Sequence, residues 1–110
     1  MARKFLFFGP YITGPGAQDL RARLVDAHKA ALRKHFDSGA LKFGGPFYTD
    51  GGAGEDAAGR AFGGTFILME MESHAAALEL IEADIYYKEG LWDKPNLRLV
   101  EYSPLTPYPF

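Results

Sequence analysis

The sequence predicts one α+β domain in which four strands and two helices follow the order βαββαβ. The chain has 110 residues, of which 47% are hydrophobic, enough to bury one continuous core. Apolar residues recur at spacings of three and four in two segments, which is the period of one helix face. Between and around these segments lie shorter runs of aromatic and aliphatic residues, which are typical of strands.

The first strand and the longer helix are predicted before residue 40. Residues 4–9 are rich in aromatic residues and stop at Gly9-Pro10, a turn signal. A helix is predicted over residues 19–36 by one recurring apolar face, formed by Leu20, Leu24, Ala27, Ala31 and Leu32. Gly39 ends this helix, because glycine readily adopts the left-handed conformation of a C-terminal cap.

The second and third strands flank a glycine-rich connection. The second strand is predicted over residues 41–43, closed by Gly44-Gly45-Pro46, and the third over residues 65–71. Residues 49–64 contain six glycines together with charged residues. Such a composition predicts a mobile hairpin connection between neighbouring strands.

The second helix and the fourth strand complete the order. Ser73 is a candidate N-cap for a second amphipathic helix that runs towards Gly90, and residues 97–102 form the fourth strand. Prolines recur through a tail at residues 103–110 and prevent regular structure there. We therefore predict a single domain over residues 1–110 with a ferredoxin-like fold, an antiparallel sheet that carries both helices on one face.

The predicted strands carry apolar side chains on both faces of the sheet. Phe5 and Phe7 point to one face, whereas Leu6 and Phe8 point to the other. Because the helices cover only one face, the other apolar face requires a cover. We expect a homodimer in which two sheets close into a dimeric α+β barrel. The alternative is that the aromatic tail at residues 103–110 folds back over its own sheet.

Composition and charge exclude several classes of protein. Without cysteine the chain has no disulfides, thiolate metal ligands or cysteine nucleophiles. Twelve basic and fourteen acidic residues give a formal charge of −2, which argues against a nucleic acid or an anionic membrane as partner. The apolar run at residues 5–8 is too short for a signal sequence or a membrane span, so we expect a cytoplasmic protein.

Two nucleotide-related patterns are only partly present. Residues 54–59 have the glycine spacing of a P-loop, but Arg60 and Ala61 stand where lysine and serine or threonine belong. Residues 60–66 partly match the third-strand signature of an RNA-recognition motif, with Gly64 in place of a base-stacking aromatic. Single-stranded RNA binding is therefore the least favoured alternative.

His28 is the first candidate for chemistry. It lies between Leu24 and Leu32 at four-residue spacing, and hence on the buried face of the first helix. An imidazole exchanges protons near neutral pH, so His28 is a candidate general acid/base, although a packed core histidine is the simpler interpretation. His35 falls close to the same stripe but near the helix end. The three histidines lack the paired spacing of a metal site.

A catalytic histidine needs a group that holds its orientation, usually a carboxylate on the other ring nitrogen. Asp26, Asp37 and Asp84 are the candidates, and Asp26 lies on the far side of the helix. Spacing alone does not choose between Asp37 and Asp84.

Several segments taken together resemble the YciI-like, or YCII-related, family of small α+β proteins. The resemblance runs from the first strand to the fourth and is carried by residues 27–32, 37–41, 45–46, 62–65, 83–86 and 89–91. In these segments His28 and Asp84 match the family's histidine and aspartate. The sequence departs from the family pattern at Ile85, where proline is usual, and at Val25, where an arginine commonly stands.

The resemblance implies a dimeric α+β barrel whose active site centres on His28 as general acid/base, with Asp84 orienting it. Some relatives act in aromatic degradation. The implied activity is that of a lyase or isomerase on a small organic molecule, of aromatic-catabolism or lactone type, without cofactor or metal. The alternative is a non-catalytic dimeric accessory protein that binds a small molecule.

The expected pocket lies between the first helix and the sheet, beside the glycine-rich connection. Arg21, Arg23 or Arg60 could replace the arginine that Val25 lacks. The residues expected to contact a ligand are Tyr11, Asp37, Gly45, Pro46, Arg60 and Trp92.

Overall fold

The computed structural model describes residues 2–49 and 61–105. Most of the predicted glycine-rich connection, with the P-loop-like residues and Arg60, lies outside the described residues, as does most of the proline-rich tail. The elements, in chain order, are β1 (Arg3–Pro10), α1 (Ala17–Ser38), β2 (Leu41–Tyr48), β3 (Phe62–Met71), α2 (His74–Glu82), α3 (Ile85–Lys88), a 3₁₀ helix (Lys94–Asn96) and β4 (Arg98–Glu101).

The four strands form one sheet in the order β2-β3-β1-β4, and every neighbouring pair is antiparallel. In the register of β1, Phe7 pairs with Ile67 of β3 on one side and with Leu99 of β4 on the other. Because β1 and β3 lie in the centre, consecutive strands β1 and β2 are not neighbours. This topology confirms the predicted ferredoxin-like α+β fold.

One hydrophobic core lies between the helices and one face of the sheet. The sheet contributes alternate residues of its central strands, Phe5 and Phe7 from β1 with Ile67 and Met69 from β3. The helices contribute the buried residues Leu24, Leu32, Ala77 and Ile81. Within the described residues, no helix is long and apolar enough to cross a membrane.

Helix α1 is slightly longer than predicted and buries a narrower stripe. Its buried residues are Ala17, Leu24, His28 and Leu32, whereas Ala27 and Ala31 are exposed. These positions are separated by seven, four and four residues, which keeps them on one line of the helix surface. Gly39 ends α1 at φ 86°, as predicted, and its N–H donates to the carbonyl of Phe36.

Strand β2 continues through the residues predicted to close it. Pro46 is tolerated because β2 is an edge strand. An edge strand pairs with a neighbour on one side only, so a proline, which has no N–H to donate, can be placed there without breaking the sheet. At Gly44, a Cβ would lie 2.6 Å from the main-chain oxygen of Phe66, so the close approach of β2 to β3 requires glycine there. The predicted turn at Gly44-Gly45-Pro46 is therefore wrong: the segment belongs to strand β2, and two of its three residues have no side chain.

The predicted second helix is two helices separated at Asp84. Ser73 caps α2 as predicted, since its hydroxyl accepts the N–H of Ala76 at 3.0 Å. Asp84 has extended backbone angles, φ −72° and ψ 142°, and its carboxylate caps α3 by accepting the N–H of Tyr86. A short polar side chain that accepts the N–H of a residue two positions further on favours such a break over a continuous helix.

The sheet face opposite the helices is apolar and partly exposed. Phe8, Phe43 and Val100 on this face are 40%, 48% and 46% exposed. Aromatic rings pack against one another across it: Phe8 stacks on Phe47, and Phe43 packs against Phe66. Its apolar character follows from strands that carry apolar residues at successive positions.

Candidate active site

His28 and Asp84 meet in the interior although they are 56 residues apart in the chain. Nδ1 of His28 lies 2.8 Å from Oδ1 of Asp84, and the two side chains are 8% and 2% exposed. The buried stripe of α1 supplies the histidine, and the break between α2 and α3 supplies the aspartate. The contact thus depends on the packing of α3 against α1.

The contacts of Asp84 assign a tautomer to His28. Oδ1 accepts the backbone N–H of Tyr86 at 2.8 Å, which orients the carboxylate as an acceptor. Nδ1 of His28 is then the donor to Oδ1, and in the neutral ring Nε2 is the nitrogen with a free lone pair. Among the described residues, Nε2 has no hydrogen-bond partner.

Aromatic rings hold the imidazole in place. The ring of Tyr86 stacks on that of His28, with centroids 3.7 Å apart and planes within 5°. Trp92 meets both rings edge-on, at 6.0 Å from His28 and 5.7 Å from Tyr86. With one ring face covered and Nδ1 bonded, rotation of the imidazole would break both contacts.

A cavity of about 420 Å³ opens beside His28, between α1 and the β2–β3 side of the sheet. Gly44 and Gly45 line it, and because they have no side chains they leave space that larger residues would fill. Val25, Leu32 and Ile67 contribute apolar wall. The volume falls within the range of about 300–1,000 Å³ that is usual for small-molecule pockets.

The cavity brings together four of the six residues expected to contact a ligand: Tyr11, Asp37, Gly45 and Pro46. Trp92 is buried and supports the His28–Tyr86 pair, and it does not line the cavity. Arg60 lies outside the described residues. Ligand contact by any of these residues stays a prediction.

Tyr86 and Thr65, which both carry a hydroxyl, are among the lining residues that are not predicted from the sequence. Tyr86 follows Asp84 by two residues, and this short separation is the sequence signal that could have marked it. Thr65 is a single hydroxyl residue at the start of an apolar run, and nothing local distinguishes it from an ordinary strand threonine.

One end of the cavity is polar. The hydroxyl of Tyr11 lies 3.1 Å from that of Thr65, and Nε of Arg21 donates to the Tyr11 hydroxyl at 3.4 Å. The guanidinium of Arg21 also lies over the ring of Phe62, 4.4 Å from its centroid. Tyr11 therefore connects a strand threonine to a cation on α1.

Burial raises the pKa of the Tyr86 hydroxyl well above its ordinary value of 10.0. The neighbouring Tyr11 and Asp84 raise this pKa further, and the positive charge of Arg21 opposes them. The Tyr86 hydroxyl consequently stays protonated at neutral pH and can donate a hydrogen bond.

Among the described residues that line the cavity, cations outnumber carboxylates. Arg21, Lys29 and Arg33 line it from α1, whereas Asp37 is the acidic residue at the opposite end from Arg21. Within residues 2–49 and 61–105, no group of three or more histidines and carboxylates is placed to hold a metal ion.

Comparison with known proteins identifies the family to which the chain belongs. The YCII-related domain matches residues 7–99. This chain belongs to the YCII-related family. The match runs from within β1 to within β4 and includes both His28 and Asp84. It confirms the family resemblance inferred from the sequence segments.

A solved structure gives a second comparison. The chain is similar to 5-chloro-2-hydroxyhydroquinone dehydrochlorinase from Burkholderia phenoliruptrix, determined in complex with 2,5-dihydroxybenzoquinone. The TM-score is 0.73 at 26% sequence identity, over 91% of this chain and 93% of that chain. No curated protein matches the sequence.

Proposed function

We propose that this protein is a lyase or isomerase that acts on a small organic molecule, with His28 as general acid/base and Asp84 as the residue that orients it. The observation that carries the proposal is the 2.8 Å contact between Nδ1 of His28 and Oδ1 of Asp84 at the wall of a 420 Å³ cavity. A histidine held by a carboxylate beside a ligand-sized space is an arrangement suited to proton transfer.

The proposed reaction starts at Nε2 of His28. This nitrogen takes a proton from a carbon or hydroxyl of the bound molecule, and the carboxylate of Asp84 stabilises the imidazolium that forms. In an elimination, the electron pair of the broken bond forms a new double bond and the leaving group departs with its own pair. In an isomerisation, the imidazolium returns the proton to a different atom. Neither route consumes an oxidant or reductant, so the proposal requires no cofactor.

The surroundings of His28 support this assignment. The stacked ring of Tyr86 gains from a positive charge on the imidazole, because a cation is attracted to an aromatic face. The neutral hydroxyl of Tyr86 can donate to an oxygen that becomes negative during the reaction. The apolar wall formed by Val25, Leu32 and Ile67 suits a flat, partly apolar molecule.

Similarity supports the same class of reaction. The neighbour of known structure is a dehydrochlorinase by name, and such an enzyme is a lyase. Its ligand in that structure, 2,5-dihydroxybenzoquinone, is a small ring compound. We extend to this chain the reaction class, and not the substrate, because the site residues decide the substrate.

We also propose that the apolar sheet face pairs with the same face of a second copy, which forms the dimeric barrel expected from the sequence. Phe8, Phe43 and Val100 expose large apolar side chains from three different strands on this face, and such a group of side chains marks an interaction surface. Light scattering on the full chain tests the pairing, and a monomer at micromolar concentration would contradict it. In keeping with the cysteine-free composition, we expect the dimer to work in the cytoplasm.

Solvent deuterium incorporation tests the proposed chemistry directly. The protein is incubated in D₂O with hydroxylated single-ring aromatics and lactones, including 5-chloro-2-hydroxyhydroquinone, and the products are followed by NMR. We expect His28→Asn to abolish turnover or exchange that the unmodified chain supports. His35→Asn is the matched control, because His35 is on the same helix but does not line the cavity. Equal rates for the chain and His28→Asn would remove the basis of the proposal.

A further inference from the structure

Arg21 is a cation that aromatic and hydroxyl contacts hold at one end of the cavity. Its side chain is half-buried, and no carboxylate lies within ion-pair distance of it among residues 2–49 and 61–105. Its Nε donates to Tyr11 and its guanidinium plane rests near the ring of Phe62. These two contacts limit the rotation of the group, and within the described part of the chain its Nη groups have no hydrogen-bond partner.

The hydroxyls beside Arg21 complete a cluster of hydrogen-bonding groups. Tyr11 and Thr65 bond to each other at 3.1 Å, and both residues line the cavity with Arg21. A guanidinium with two hydroxyls beside it suits a planar anion such as a carboxylate, because an arginine can offer two parallel N–H groups.

This cluster is close enough to His28 for one small molecule to contact both. Arg21 precedes His28 by seven residues, two turns of α1, which places the two side chains on the same face about 10 Å apart along the helix. The Tyr86 ring that stacks on His28 lies 5.9 Å from the ring of Tyr11. A single-ring molecule with a charged substituent bridges that separation.

The other end of the cavity is less suited to an anion. Asp37 lines that end, one helical turn beyond Arg33, and its carboxylate repels a negative ligand group while attracting the arginine. Lys29 and Arg33 are exposed, so their charges are screened by solvent, and they contribute to attraction of an anion more than to its orientation.

We propose that the molecule bound in this cavity is a small organic anion, a carboxylate or phenolate, and that Arg21, with the hydroxyls of Tyr11 and Thr65, binds its charged group. Arg21 thereby determines specificity, and the reacting part of the same molecule lies against His28. This inference deepens the proposed function and rests on it for the role of the cavity, but it concerns binding and not proton transfer.

Calorimetric titration with a matched acid and amide tests the inference. Benzoate and benzamide have nearly the same shape and differ in charge, so their ratio of affinities at pH 7.5 measures anion recognition. We expect benzoate to bind the unmodified chain about 10- to 100-fold more tightly than benzamide, the range of a charge-assisted hydrogen bond. Equal affinities, or no detectable benzoate binding, would overturn the inference.

Single substitutions test whether Arg21 is the residue that recognises the anion. Arg21→Met should lose the preference for benzoate, whereas Arg23→Met, which removes an exposed cation that does not line the cavity, should keep it. Arg21→Lys retains the positive charge and should keep part of the preference for benzoate. This variant allows the test to be made even where Arg21→Met does not fold. A preference that persists in folded Arg21→Met would refute the inference. Benzoate binding without turnover of any candidate substrate would count against the catalytic proposal alone, whereas turnover without a preference for benzoate would count against this one alone.

Discussion

Replacement of Asp84 by asparagine separates the chemistry proposed for His28 from the stability of the fold. Asparagine has nearly the shape of aspartate, and its side-chain oxygen can still accept the N–H of Tyr86 that caps α3. The substitution removes the negative charge that lies 2.8 Å from Nδ1 of His28. The cap is therefore retained while the support for a protonated imidazole is lost.

The expected loss of stability is smaller than the expected loss of rate. In the folded protein, a charge-assisted hydrogen bond becomes a neutral one, which lowers the free energy of unfolding by about 1 kcal/mol. During catalysis the imidazolium loses its counter-charge, because the asparagine oxygen in the place of Oδ1 accepts from Nδ1 but carries no formal negative charge. We expect the rate to fall about 100- to 10,000-fold, the usual contribution of general acid–base catalysis, equivalent to about 3 to 5 kcal/mol in the barrier.

Two measurements on the same samples decide the outcome. The rate is taken from deuterium incorporation, and the free energy of unfolding from urea titration followed by the fluorescence of Trp92, the chain's single tryptophan. Asp26→Asn, at an exposed position on the far side of α1, is the matched control. A rate within threefold of the unmodified chain would refute the orienting role. A rate loss that merely follows the unfolded fraction would show that Asp84 acts through stability.

Three further predictions concern the cavity floor, the open sheet face and the buried tyrosine. Gly44→Ala should lower the free energy of unfolding in urea by about 1–3 kcal/mol through overpacking, whereas Gly45→Ala, with open space around its Cβ, should change it little. Phe43→Glu should convert the proposed dimer to a monomer in light scattering, and a persistent dimer would contradict the proposed interface. Because folding raises the pKa of Tyr86 above 10.0, its stabilising contribution is present below pH 10 and is lost at higher pH. Stability above pH 10 should therefore fall less steeply in Tyr86→Phe than in Tyr87→Phe.

The local pattern of residues in the sequence is sufficient to predict most of the helices and strands and the helix face that carries His28. A helix turns by a constant angle per residue, so the spacing of Leu24, His28 and Leu32 determines that all three lie on one line. The caps at Ser73 and Gly39 are local for the same reason, since each bonds to atoms within a few residues. These predictions need no knowledge of what packs against the helix.

Local pattern fails where one residue type suits two conformations. The Gly44-Gly45-Pro46 segment has the composition of a turn, yet it continues β2, because pairing with β3 and the edge position of the strand outweigh turn preference. The same glycines leave the space that becomes the cavity. The two glycines thus account both for the turn predicted from the sequence and for the ligand-sized space in the structure. Only the pairing of β2 with β3 shows that the segment is a strand that lines a cavity.

The sequence by itself determined a ferredoxin-like α+β domain, a histidine on the buried face of its first helix, and, through family resemblance, an aspartate to accompany it. Only the tertiary structure decided that Asp84 bonds to His28 at 2.8 Å, that Tyr86 and Trp92 hold the ring, and that Arg21 and Tyr11 border the same cavity. The physical reason is one of range. Which way a side chain points is set by the few residues around it, whereas a contact across 56 residues is set by how α1, α3 and the sheet pack together.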